Sequence, residues 1–246
     1  MRWLIIIPVL ILFSCSGEKK RLPYGNQYFL SLSEMEDGRL QEEYTQLLSR
    51  NESKRKKWAK EFKNTGNRKS LLKKAKDHFY HTLTDSVFMF WYGTEWDFNG
   101  ITQKPREGNI ACGYFVTTTL SQCGLKIDRA KLAQQPAATI IKTVCHNGTI
   151  RTFSNGNLKG LKTHLLKSED GLFVIGLDNH VGFIDKRDTS IYMIHSSGLR
   201  PFEVTIERWD EARALQKSQL HMIGSVSTND NLFVKWLGGE KIKMAE

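Results

Sequence analysis

The sequence predicts an α+β fold, with helices first and an antiparallel sheet after them. Two patterns and their order carry this. From Leu40 to Val87 apolar residues recur at helical spacing, for example Leu72, Ala75, Phe79 and Leu83. From Gly171 onward the apolar runs shorten to strand length and are split by Asp-Asn and Arg-Asp turns. A block of helices followed by a block of strands belongs to the α+β class.

Taken in order, two or three helices are predicted between Glu34 and Met89, broken near Asn64 to Asn67. Glu95 to Asn109 is rich in turn formers and reads as a loop. A helix is predicted over Ile110 to Gln122, with Asn109 as its N-cap and Gly124 as its stop. Asp128 can cap a further short helix, and Pro136 suits the first turn of another. Asn157 to Lys167 reads as one more. Strands are predicted at Gly171–Leu177, His180–Asp185 and Ile191–Ser196. A helix over Glu207 to Lys217 and a strand over His221 to Val226 complete the expectation.

The chain has 246 residues, enough for one or two domains and a substantial core. Charged residues at 25% and aromatics at 11% are ordinary globular values, which excludes disorder throughout. No repeat or low-complexity tract is visible, so solenoid and collagen-like assemblies are excluded. The charge is uneven. Residues 50–76 hold twelve Lys/Arg and only Glu52 and Glu61 as acids, so this segment alone matches the net charge of +10. It reads either as a solvated basic helix face or as a surface for anionic lipid or wall polymer. Nucleic acid is not expected, because no recognition motif is present.

Met1 to Ser14 (MRWLIIIPVLILFS) has a short basic start and an apolar run too short to span a bilayer comfortably, as a signal peptide does. Leu12-Phe13-Ser14-Cys15 resembles the lipobox of bacterial lipoproteins, which implies lipidation of Cys15 and a membrane anchor. An ordinary secretory signal is the alternative. Ser16 after the cysteine implies the outer rather than the inner membrane of a two-membrane envelope. The expected organisation is a signal peptide at 1–14, a tether at 15–33, a basic helical region at 34–89 and a hydrolase domain at 90–246.

With Cys15 set aside, Cys112, Cys123 and Cys145 remain, an odd number that suggests a free thiol. Cys112 and Cys123 lie eleven residues apart on one predicted helix, roughly 16 Å, beyond disulfide reach. Any disulfide of Cys123 would need Cys145. Cys112 falls in the first turn of its helix, where free N–H groups and the dipole favour a thiolate. The same N–H groups could hold an oxyanion, and Gly113 leaves room for a substrate backbone. His180 and His195, on neighbouring predicted strands, can serve as base and orienter. Other candidates are weaker. Cys145-His146 are adjacent and point apart. His78 and His81 have a metal-compatible spacing without a third ligand. His164 and His221 read as structural.

Ala-Cys112-Gly-Tyr-Phe-Val, then His180-Val-Gly-Phe-Ile, then Met-Ile-His195-Ser-Ser-Gly is similar, in that order, to the NlpC family of cell-wall cysteine peptidases. The likeness runs from about Tyr92 to Gly198. It implies a papain-like fold in which a helix carrying the cysteine packs on an antiparallel sheet, here with a helical extension before it. It implies Cys112 as nucleophile, His180 as base and His195 as orienter, cleaving an amide of peptidoglycan stem peptides with no cofactor or metal. Two departures from the family stand out. The family's Asp-Cys-Ser-Gly is Ala-Cys-Gly-Tyr here, and its upstream Tyr is matched only by Phe90-Trp91-Tyr92-Gly93. The alternatives are action on another amide or ester, and a non-catalytic binding lipoprotein.

Overall fold

In the computed structural model the described residues are Leu32 and 34–246. The signal sequence, Cys15 and all of the tether but Leu32 lie outside the described residues. The fold is α+β: several helices around a six-stranded antiparallel sheet.

Helix α1 (Asp37–Asn64) buries Leu40, Tyr44, Asn51 and Arg55, one stripe at spacings of four, seven and four. It ends at Thr65, and Asn67 caps α2 (Arg68–Thr82) by accepting from the Ser70 amide. The predicted break therefore lies where expected. A π-helical turn (Leu83–Val87) and α3 (Phe88–Trp91) follow without interruption. After a long loop come α4 (Cys112–Gln122), α5 (Arg129–Ala133) and α6 (Ala137–Val144). Asp128 caps α5 and Pro136 precedes α6 directly.

The sheet comprises β1 (Arg151–Phe153), β2 (Gly171–Leu177), β3 (His180–Arg187), β4 (Ser190–Ser196), β5 (Val204–Arg208) and β6 (His221–Ser225), in the order β1-β6-β2-β3-β4-β5. Helix α7 (Leu158–Lys167) lies between β1 and β2, α8 (Arg213–Lys217) between β5 and β6, and α9 (Asp230–Gly238) follows β6. The predicted helix from Glu207 is corrected. Glu207 and Arg208 end β5, and only Arg213–Lys217 is helical. Val204 and Ile206 face the core on one side, while Thr205 and Glu207 alternate with them. That period of two prevails over the charges around it, which resemble an exposed helix.

Two apolar clusters sandwich the sheet. One joins Val174, Val181, Phe183 and Ile194 to Phe115 of α4 and to Tyr44 and Phe79 of the N-terminal helices. The other joins Ile175, Ile184 and Met193 to Leu161, Leu165 and Leu215. The basic segment is partly structural. Buried Arg55 pairs with Glu52 and donates to the Trp236 and Leu237 carbonyls, the C-terminal carbonyls of α9. Among the described residues no helix is long and apolar enough to cross a membrane.

Candidate active site

Cys112 opens α4, but not through the expected cap. Asn109 instead stays extended, its carbonyl accepting from Thr102 N. Ala111 is the N-cap residue and offers no side-chain cap. The first N–H groups of α4 are therefore left without the partner that an Asn or Ser cap would supply. The Val181, Gly113 and Cys112 amides lie near the Cys112 sulfur and favour its anion. Val181 directly follows His180 in β3. Gly113 is required for a reason other than the expected one. A Cβ there would collide with the Ala133 carbonyl, so glycine lets α5 close on α4.

The ladder between β3 and β4 ends at Phe183↔Ile194. Beyond it lie His180, at the start of β3, and His195, near the end of β4. A side chain at Gly182 would place its Cβ 2.8 Å from the Cβ of His195, so this glycine permits the close approach. Ser196 Oγ donates to the Ile110 carbonyl at 2.6 Å, holding the end of β4 beside the entry to α4.

The two imidazoles meet edge to face, with Nε2 of His180 2.6 Å from Nδ1 of His195. His195 is fully buried, and its Nε2 lies 2.8 Å from Oε2 of Glu207. Sequence reasoning missed Glu207 because it placed this residue on a helix. The signal that could have found it is the Val-Thr-Ile-Glu alternation, which aims Glu207 to the same side as Thr205, the partner of His195.

The hydrogen bonds assign the tautomers. A carboxylate only accepts, so His195 carries its proton on Nε2. A neutral His195 then has a bare Nδ1, which accepts from His180 Nε2–H. That leaves His180 Nδ1 bare, the nitrogen not engaged by His195. Burial, reinforced by His195, lowers the His180 pKa to about 3. The expectation of a thiolate is corrected in the same way. Burial raises the Cys112 pKa against the opposing pull of three amides. Both shifts favour the neutral form of the group.

Cys112 and His180 both line a cavity of about 860 Å³ whose walls include Trp96, Phe98, Ile101 and Leu199. They also line an adjoining one of about 350 Å³, with Pro136, Ala137, Ala138 and Met222.

The other candidates separate cleanly. Cys123 and Cys145 are free and buried, with no disulfide between them. Cys145 donates to the Gly224 carbonyl, and burial pushes its thiol up to about 12. His78 packs edge-on against Trp58 and bonds Asn51, while His81 pairs with Asp85. Among the described residues no group of three or more His, Cys, Asp or Glu could hold a metal ion. His221 Nε2 meets the Leu215 carbonyl, and Tyr92 is buried away from the cleft-lining residues.

Comparison with protein-family models, with curated proteins and with solved structures finds no match.

Proposed function

We propose that the chain is a papain-like cysteine hydrolase that cleaves an amide through an acyl-enzyme. The observation that carries this reading is the 2.6 Å contact of His180 with His195, beside the only half-buried thiol among the described residues. His180 Nδ1 takes the proton of Cys112 as the sulfur attacks a carbonyl carbon. The two start neutral, so proton transfer and attack are coupled rather than preceded by a stable ion pair. The oxyanion is met by the Cys112 and Gly113 amides at the uncapped start of α4. Protonated His180 gives its proton to the leaving amine as the C–N bond breaks. A water, deprotonated by the same nitrogen, then attacks the thioester and releases the acid and the thiol. Glu207 opposes the transient positive charge through His195 and holds both rings in the working tautomer.

The resemblance points to peptidoglycan stem peptides as substrate, and the lipobox-like segment to an anchor at Cys15 in the bacterial envelope. Substituting Cys15→Ser is expected to release the protein from the membrane fraction. The test of the chemistry is to incubate the full chain with purified peptidoglycan and with blocked peptides, and to identify new ends by mass spectrometry. New amine and carboxyl ends that vanish with Cys112→Ala support the reading. A thiol-reactive acyl probe that labels the native protein no faster at Cys112 than at Cys123 and Cys145 refutes it.

A further inference from the structure

The cleft over Cys112 is asymmetric. On one side the larger cavity is walled by Trp96, Phe98, Ile101 and Leu199. Phe98 is 79% exposed and Ile101 59%, the two most exposed large apolar side chains among the described residues. Their loop is not free to fold them away. The Trp96 amide donates to the Phe202 carbonyl, the Ala111 amide to the Gly100 carbonyl, and Arg129 holds the Ile101 carbonyl. A loop so tied, keeping two bulky apolar side chains in water at the edge of a cleft, forgoes the stabilisation their burial would bring. A ligand that covers them recovers part of it.

The adjoining smaller cavity, which also reaches Cys112, is walled by Pro136, Ala137, Ala138 and Gly176. A Cβ at Gly176 would lie 2.7 Å from that of Ala137, so β2 and α6 close tightly on each other along this wall. Charge is nearly absent from both. Lys217 is the one cation on the lining, and the one carboxylate, Asp178, is engaged by the Gln219 and Leu220 amides. The Asn99 and Asn179 amide side chains line the cleft, while those of Gln134 and Gln135 donate to Tyr114 Oη and the Lys131 carbonyl and offer their oxygens to a peptide backbone.

Resting on the hydrolase reading, we propose that the scissile amide joins a residue with a large apolar side chain to a small residue, in a peptide uncharged around the bond. This departs from wall stem peptides, whose several carboxylates would find one lysine. The wide, open shape of the larger side suits a side chain between aromatic walls rather than a long aliphatic tail, which needs an enclosed tunnel.

The experiment separates recognition from turnover. N-acetylated, C-amidated hexapeptides carrying Phe-Gly, Gly-Phe, Phe-Phe, Gly-Gly, Glu-Gly or Lys-Gly at the centre are titrated into the full-length Cys112→Ala chain by calorimetry. Dodecanoyl-glycine amide and purified muropeptides are titrated beside them. The expected result is that Phe-Gly or Gly-Phe binds at least tenfold more tightly than the other peptides, a difference of about 1.4 kcal/mol. Phe98→Ala together with Ile101→Ala should remove that preference without weakening Gly-Gly. Comparable binding of Gly-Gly, or tighter binding of Phe-Phe, the dodecanoyl amide or the muropeptides, overturns the proposal. The wild-type chain is then given the same peptides. A preference in binding with no cleavage overturns the hydrolase reading and leaves the recognition inference standing. Cleavage without the preference does the reverse.

Discussion

The two ends of β3 carry polar networks built from the same kinds of residue, and they differ in one respect. At the C-terminal end, fully buried Asp185 accepts from Tyr80 Oη at 2.6 Å and pairs with Arg187. Arg187 continues to Asp85 and Thr84 of the π-helical turn, and Asp85 pairs with His81. Tyr80–Asp185, Arg187–Asp85 and Arg187–Thr84 join the sheet to the N-terminal helices. At the N-terminal end, Glu207, His195 and His180 form a comparable chain, but its last imidazole faces a cleft beside a thiol. Closed networks cement elements together, since a buried polar group left unpaired is expensive. A network with one reactive end left open is where chemistry can be sought.

The largest effects test that open end. Cys112→Ala should abolish turnover, a loss of at least about 10³-fold, and His180→Ala should cost nearly as much because the two act as a unit. Circular dichroism and thermal midpoints should stay close to wild type, since neither residue carries the core. A His180→Ala chain that keeps a tenth of its activity would reduce the open end to another structural contact.

Glu207 comes next. Glu207→Gln keeps the volume but lets the amide donate to His195, which permits the wrong tautomer. We expect kcat to fall roughly 10²-fold with KM little changed, by analogy with other buried carboxylates that orient a catalytic histidine. The loss should shrink in Glu207→Asp, which restores an acceptor. Equal losses in both variants would show that packing, not hydrogen bonding, is at stake. Cys112 alkylation offers a parallel reading. Its rate should rise through a midpoint above that of an ordinary thiol, because burial raises the Cys112 pKa. A midpoint well below the free-thiol range would mean that a thiolate is present at rest.

The closed end should respond in stability instead. Asp185→Ala removes the acceptor of Tyr80 Oη and one of the acceptors of Arg187 and should cost about 3 kcal/mol, read from urea unfolding. Turnover below the unfolding temperature should be unchanged, because the candidate cleft lies at the other end of the strand. A variant that unfolds normally but loses activity would mean that the two ends are coupled through β3.

What could be read from residues alone follows the same division. Strands β2, β3, β4 and β6 were legible because their apolar runs are bounded by turn formers. Cys112, His180 and His195 could be singled out because each lies one to three residues before a glycine in a distinctive short motif. Glu207 was not, since its side chain matters only through a partner twelve residues away across a strand pair. The closed network was invisible for a like reason. Tyr80 and Asp185 are 105 residues apart, and no local pattern announces their meeting. The thiolate expectation failed because a helix start favours the anion only as far as burial allows.

The smallest predicted effect is the dependence of stability on pH, which compares His180 at the open end with His78, a ring outside both networks. Burial lowers the His180 pKa to about 3 and the His78 pKa to about 4, with His195 adding to the first and Lys54 and His81 to the second. An unfolded chain binds protons at both rings as pH falls through about 6.5, while the folded chain does not. Folding is therefore favoured above that pH and loses ground below it, down to the folded values. Lowering pH from 8 to 6 should remove about 1.5 kcal/mol from the two histidines together, by linkage. His78→Gln should remove about half of that dependence and leave turnover intact, since His78 touches Trp58 and Asn51 and not the cleft. His180→Gln should remove the other half and turnover with it. A stability profile flat from pH 8 to 6 would mean that both rings accept protons in the folded state, and the neutral His180 on which the coupled attack depends would be lost.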